Sequence, residues 1–99
     1  MCEPCIFEID AGLRVPSRNE FYLVGEIISG VVGVGDCIAK CEVAVRLIGR
    51  QISALELVSI KESNPKPALG IVAEDKSELE ILASTAWQDA RIEITKRVT

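Results

Sequence analysis

Hydrophobic and polar residues alternate along most of this chain with a period of two, which is typical of β-strands. The apolar runs are short, rich in Ile and Val, and bounded by Gly, Pro, Asn or Asp. In the first run Cys5, Phe7 and Ile9 share one face of a strand, while Glu8 and Asp10 point the other way. The pattern predicts six strands, over residues 5–9, 21–29, 37–48, 52–61, 69–73 and 90–97.

The connections between these runs carry strong turn signals. Gly12 and Pro16 predict a loop after the first strand. The glycines of residues 30–35 predict a tight hairpin, because glycine accepts positive φ angles. Pro65 and Pro67 predict a break, because proline donates no hydrogen bond to a strand ladder.

Two segments raise the question of a helix. Residues 52–61 alternate imperfectly, so their periodicity fits a helix as well as a strand, although their Val and Ile content favours a strand. Asp75, followed three positions later by Glu78, has the capping-box pattern and predicts a short helical turn after Asp75. The nearby Glu74 and Glu80 then complete a solvated acidic face rather than a catalytic or cation-binding group.

These elements predict an all-β domain over residues 1–99, folded as a six-stranded closed antiparallel β-barrel. No helical segment is long enough for the crossover that a parallel strand pair requires. With 48% hydrophobic and 26% charged residues, the composition is close to that of folded globular proteins. The sequence has no internal repeat and no sign of a second domain.

The second predicted strand is apolar on both faces, which packing on one side of a barrel wall does not require. We expect Tyr22, Val24 and Ile28 to face away from the barrel interior, where either a self-association surface or a covering loop would account for them. The single tryptophan, Trp87, lies in a polar segment and fits either a plug at the barrel end or an interface anchor. Tyr22, Val24, Ile28 and Trp87 are therefore the candidate interface residues.

The composition narrows the classes of function. Eleven basic against fifteen acidic residues give a net charge of −4, which disfavours binding to nucleic acid or to anionic membranes. No run has transmembrane length and the first residues lack a signal-peptide pattern, so we expect a protein of the reducing cytoplasm with free thiols. The absence of histidine removes the common nucleophile-activating pairs, so we expect no enzymatic activity and no cofactor.

Cys2 and Cys5 form the sharpest local motif, because a Cys-x-x-Cys pair serves redox chemistry or half of a zinc site. The redox interpretation needs a following helix, and nothing after Cys5 predicts one. Cys37 and Cys41 lie about 13 Å apart on a strand, too far for one zinc ion with bonds of about 2.3 Å. Small buried thiols are the simpler interpretation, with a Cys5–Cys37 or Cys5–Cys41 contact left open.

A block of residues between 15 and 36 has a recognisable order: Val-Pro-Ser-Arg at 15–18, Gly-Glu-Ile at 25–27, and a Gly-rich hairpin that ends in Gly-Asp at 35–36. It resembles the β-barrel domain that follows the GTPase domain in elongation factor Tu and related translation GTPases. Leu-Glu-Leu at 55–57 and Leu-Gly-Ile at 69–71 resemble later strands of that domain. The resemblance implies a barrel of the translation-factor type. The chain departs from the family in having no P-loop and in carrying Glu26 where a basic residue is usual.

The sequence thus predicts a non-enzymatic binding or assembly module that forms a homo-oligomer. The resemblance implies an alternative, a free-standing translation-related barrel that contacts RNA or a protein factor. A thiol-redox or zinc-binding protein that uses Cys2 and Cys5 is the second alternative. No motif indicates a small-molecule ligand.

Overall fold

The computed structural model describes residues 4–58 and 64–96 and shows one antiparallel sheet of six strands. The strands are β1 (Cys5–Val15), β2 (Glu20–Ser29), β3 (Cys37–Cys41), β4 (Ala54–Val58), β5 (Lys66–Val72) and β6 (Ala90–Thr95), and the one α-helix of these segments is α1 (Lys76–Ala83). Their order in the sheet is β3-β6-β1-β2-β5-β4. β2 and β3 are not neighbours, so the tight hairpin predicted over residues 30–35 is wrong: this segment crosses from one part of the sheet to another. The prediction of a mostly β, antiparallel fold is confirmed. Within the described segments no helix has both the length and the apolar character needed to cross a membrane.

The first hairpin is longer than predicted, because β1 continues through the expected loop to Val15 and pairs with β2. The turn falls at a 3-10 helix over Pro16–Arg18. Gly12, predicted as a loop residue, instead gives room to aromatic rings. A Cβ built there would lie 2.3 Å from the ring of Phe21 and 2.7 Å from the ring of Trp87.

The third predicted strand, residues 37–48, is wrong beyond Cys41, where β3 ends. A 3-10 helix over Val45–Leu47 follows; its last residue is buried and its first residue is 70% exposed. The apolar alternation of this segment therefore does not mark one buried face. Gly49, with a φ of 90°, then turns the chain back toward β3.

Residues 49–53 run between the two edge strands of the sheet, β3 and β4. Beside the start of β3, the N–H of Ile52 donates to the carbonyl oxygen of Asp36 at 2.8 Å. Beside β5, the N–H of Ser53 donates to the carbonyl oxygen of Gly70 at 2.7 Å. The assigned sheet is open, and this segment is hydrogen-bonded to both sides of the opening.

The fourth predicted run forms a strand, β4, and not a helix. Residues 59–61 of that run, like residue 97 of the last one, lie outside the described residues. β5 begins at Lys66, so the break predicted at Pro67 is wrong. Pro67 fits because it lies beyond Ala68, the last residue of β5 that pairs with β2, so its missing N–H breaks no bond to that strand.

The helix α1 covers one end of the inner face of the sheet. It begins at the predicted capping residue, where Asp75 Oδ1 accepts from the N–H of Glu78 at 2.8 Å. The helix runs for eight residues, because Leu79 and Leu82 bury their side chains against the sheet. The largest fully buried side chains of the core include Phe7, Ile9, Phe21, Leu23, Leu69 and Ile92.

Candidate functional site

The end of the sheet opposite α1 is lined by apolar side chains that are exposed or only partly buried. Phe21 packs against Trp87 at the α1 end, whereas Ile27 lies at the far end of the same strand. A groove of about 270 Å³ there is lined by Ile27, Val32, Leu55, Leu57 and Pro67, together with Glu56 and the buried Ala68. Val31, beside Val32, is 74% exposed. We call Ile27, Val31, Val32, Leu55, Leu57 and Pro67 the apolar mouth.

The apolar mouth continues the core face of the sheet past its last covered residues. Leu23 of β2 and Leu69 of β5 lie opposite each other and are fully buried. Ile27 and Pro67 follow on the same faces of these strands, because side chains two or four residues apart point the same way. Leu57, opposite Pro67, is 73% exposed. A contiguous apolar patch of this kind is typical of an interaction surface.

The backbone of β4 has a defined orientation relative to β5. The carbonyl oxygen of Gly70 accepts from Ser53, so the even-numbered residues of β5 direct their backbone groups toward β4. Glu56 lies opposite one of these residues and therefore directs its own N–H and C=O groups toward β5. Its neighbours Leu55 and Leu57 direct theirs away from β5, to the free edge of the sheet.

The position of Pro67 agrees with this orientation, because a residue without an N–H cannot exchange two hydrogen bonds with Leu57 opposite. Within residues 4–58 and 64–96, the outward groups of Leu55 and Leu57 have no hydrogen-bond partner in the chain. An edge strand with free backbone groups and exposed apolar side chains is a template for pairing with another chain. The sequence reasoning missed this surface, since alternation does not distinguish an edge strand from a central one.

Three of the four predicted interface residues are buried within their own chain. Tyr22 is 2% exposed, Val24 1% and Trp87 4%, whereas Ile28 is 46% exposed. Tyr22 and Val24 form a small second cluster with Ala68 on the outer face of the sheet. Packing within the chain therefore explains why Tyr22 and Val24 are apolar. Trp87 closes the end of the sheet beside α1.

Tyr22 is enclosed by groups from three sides. Its ring lies so close to Gly70 that a Cβ there would come within 2.9 Å, and the guanidinium of Arg18 lies 5.9 Å from the ring centroid. Burial raises the pKa of the Tyr22 hydroxyl, and the carboxylates of Glu20 and Glu56 raise it further. A Tyr22→Glu change would bury a carboxylate here, so it tests the core rather than a surface.

The cysteines that the structure describes are free thiols. Cys5 and Cys41 are buried, and burial raises the pKa of both thiols, which lowers the reactive thiolate fraction at neutral pH. β6 lies between β1 and β3, so it separates the backbones of Cys5 and Cys37. Cys2 lies outside the described residues. No group of three or more potential metal ligands occurs among the residues described.

The predicted acidic face contains one carboxylate that is not solvated. The Glu78 side chain is 8% exposed. Its Oε1 lies 3.0 Å from Arg50 Nη1, and its Oε2 lies 3.7 Å from Arg46 Nη1. It also accepts from the N–H of Glu74 at 2.9 Å. These contacts bind α1 to the segment that follows β3. The partners lie far apart along the chain, so no local pattern in the sequence signals them.

A larger, polar groove of about 590 Å³ lies over β3 and β6. Its two basic residues are paired across the strands, with Arg91 3.1 Å from Glu8 and Lys40 3.9 Å from Glu93, whereas Glu42 and Asp89 take part in no ion pair among the described residues. Each arginine in residues 4–58 and 64–96 likewise has a carboxylate partner. This groove therefore offers no unpaired arginine or lysine to an anionic ligand.

No protein-family model, no curated protein and no solved structure matches this chain.

Proposed function

We propose that this chain is a non-enzymatic assembly module that self-associates through the apolar mouth. The observation that carries the proposal is the exposure of Leu57 and Val31, at 73% and 74%, beside an apolar groove. Burial of apolar surface contributes roughly 25 cal/mol per Å², so covering these side chains by a second copy favours association. The predicted interface on β2 is replaced here by the mouth, because Tyr22 and Val24 are already covered.

We further propose that the fold is a closed barrel of the translation-factor type. Its support is the segment 49–53, which forms hydrogen bonds with the start of β3 through Ile52 and with β5 through Ser53. In a closed barrel this segment is the first half of a long strand whose second half is β4. Closure through residues 49–53 would cover the edge of β3. It would leave the outer edge of β4, which begins after Ser53, without a partner strand.

The absence of enzymatic activity is part of the proposal. The chain has no histidine, and the Cys5 and Cys41 thiols are buried with raised pKa values. The two buried carboxylates of the described residues are both neutralised, Glu78 by Arg50 and Asp36 by Lys96. Ion pairing of the described arginines favours assembly over RNA contact, since phosphate binding uses unpaired basic groups.

The test is the solution mass of the parent chain and of two matched variants, measured by light scattering over a range of concentrations. Leu57→Lys places a charge in the mouth. Val45→Lys makes the same kind of change at a residue that is 70% exposed in the 3-10 helix after β3. We expect the parent and Val45→Lys to associate and Leu57→Lys to remain monomeric. A parent that is monomeric up to about 1 mM would refute self-association.

A further inference from the structure

Among the residues that the structure describes, the outer edge of β4 is unpaired, and it carries a self-complementary set of hydrogen-bond groups. Leu55 and Leu57 direct their N–H and C=O groups outward, and Glu56 between them faces β5. An antiparallel second copy of the same strand presents these groups in the reverse order. When a two-fold axis passes through Glu56, Leu55 of each copy lies opposite Leu57 of the other. Every outward group of both leucines then gains a partner.

We infer that β4 of one copy adds to β4 of a second copy, antiparallel, about a two-fold axis at Glu56. This inference rests on the proposed self-association and specifies its geometry. The two sheets become one continuous sheet, and Leu57 of each copy meets the apolar mouth of the other. Main-chain hydrogen bonds supply the pairing and the alternate leucines supply the apolar contact.

The neighbouring registers leave groups unpaired. Side chains directly opposite in antiparallel strands point to the same side of the sheet. The two-fold axis must therefore lie between the two copies of one residue, and not between successive residues. An axis at Leu55 places Leu57 opposite Ser53, whose N–H already donates to Gly70. An axis at Leu57 places Leu55 opposite residue 59, which lies outside the described residues. The Glu56 register is therefore the one that pairs both leucines within the described part of β4.

This register also brings the two Glu56 carboxylates face to face. Their Cα atoms form a non-hydrogen-bonded pair, about 4.5 Å apart, and like charges directly opposite are destabilising. Lys66 points to the same side of the sheet as Glu56 but lies diagonal to it, and it already pairs with Asp10. Lys66 therefore offsets only part of the repulsion between the two Glu56 carboxylates. Glu56 therefore restrains the association, as charged residues on edge strands commonly do.

A charge-swap experiment tests this register. Donor- and acceptor-labelled chains are mixed, and Förster transfer reports the dissociation constant of parent with parent, Glu56→Lys with itself, and parent with Glu56→Lys. We expect the mixed pair to bind about tenfold more tightly than either matched pair, because the like-charge contact becomes an opposite-charge one. Glu56→Gln with itself should bind about threefold more tightly than the parent. Glu42→Lys, at an exposed residue outside β4, should leave all constants unchanged.

The outcomes separate this inference from the proposed function. Equal constants for matched and mixed pairs, in a chain that does self-associate, would overturn the β4 pairing and leave the assembly module standing. If the parent is monomeric and only the mixed pair associates, β4 does not pair with a second copy of itself in the parent. That result would indicate instead a different partner, whose strand has a basic residue opposite Glu56. No association in any mixture would overturn both. Thermal unfolding of each variant verifies that it is folded.

Discussion

Trp87 donates its indole N–H to the carbonyl oxygen of Leu82 at 2.7 Å, and this bond fixes the ring at the end of the sheet under α1. Leu82 lies in the last turn of α1, where carbonyl groups lack partners within the helix. The same ring packs against Phe21 of β2, with 5.7 Å between the ring centroids. One side chain therefore joins the helix to the sheet and leaves little freedom for either ring to move.

The first prediction concerns Gly12, which lies under these two rings. We expect Gly12→Ala to lower the free energy of unfolding by about 1–3 kcal/mol, because its Cβ would lie 2.3 Å from Phe21 and 2.7 Å from Trp87. Gly33→Ala is the matched control, since its Cβ would come no nearer than 3.8 Å to any side chain. Urea unfolding followed by circular dichroism measures both. Equal midpoints for the two variants would show that the rings move aside.

The second prediction concerns the ion pair between α1 and the segment after β3. Glu78 and Arg50 are 8% and 20% exposed, so removal of the carboxylate leaves the partly buried guanidinium with the exposed Glu74, at 3.7 Å, as its acidic partner. We expect Glu78→Ala to lower the free energy of unfolding by about 3 kcal/mol. Glu80→Ala should cost less than about 1 kcal/mol, because its pair with Arg14 is solvent-exposed. Equal urea midpoints for Glu78→Ala and Glu80→Ala would contradict a larger contribution of the Glu78–Arg50 pair to stability.

The third prediction concerns pH. Burial raises the pKa of the Cys5 and Cys41 thiols above the ordinary value of 9.0, so the unfolded chain loses these protons first as the pH rises. Their contribution to stability is complete below pH 9.0 and declines above it, through the folded-state pKa. Tyr22 adds a loss of the same sign above pH 10.0. We expect the free energy of unfolding to fall above pH 9, and to fall less steeply in Cys41→Ala.

Alkylation provides an independent readout of the same burial. Iodoacetamide at pH 8 should modify Cys37, which is partly exposed, before it modifies Cys5 or Cys41. The buried pair should react only when denaturant is added, and peptide mass spectrometry identifies the modified residue. Rapid labelling of Cys5 in the folded protein would contradict both the burial and the raised pKa.

Among the patterns confined to a few neighbouring residues, the helix cap was predicted well and two turn signals were not, because Gly12 lies within β1 and Pro67 within β5. The Asp75–Glu78 cap lies where the sequence placed it, because its hydrogen bond spans only three residues. The end of β3 was not predicted. Val43, Val45 and Leu47 keep the period of two, but only Leu47 is buried once Gly49 reverses the chain.

The sequence by itself determined the antiparallel β class and the helix start, since these depend on residue type, alternation and local hydrogen bonds. Only the tertiary structure decided which apolar residues are covered. Tyr22 and Leu57 both lie in apolar runs that predict strands, yet Tyr22 is 2% exposed and Leu57 is 73% exposed. The difference follows from strand order. β2 lies inside the sheet and β4 at its edge, and that order is set by pairings between residues far apart in the chain.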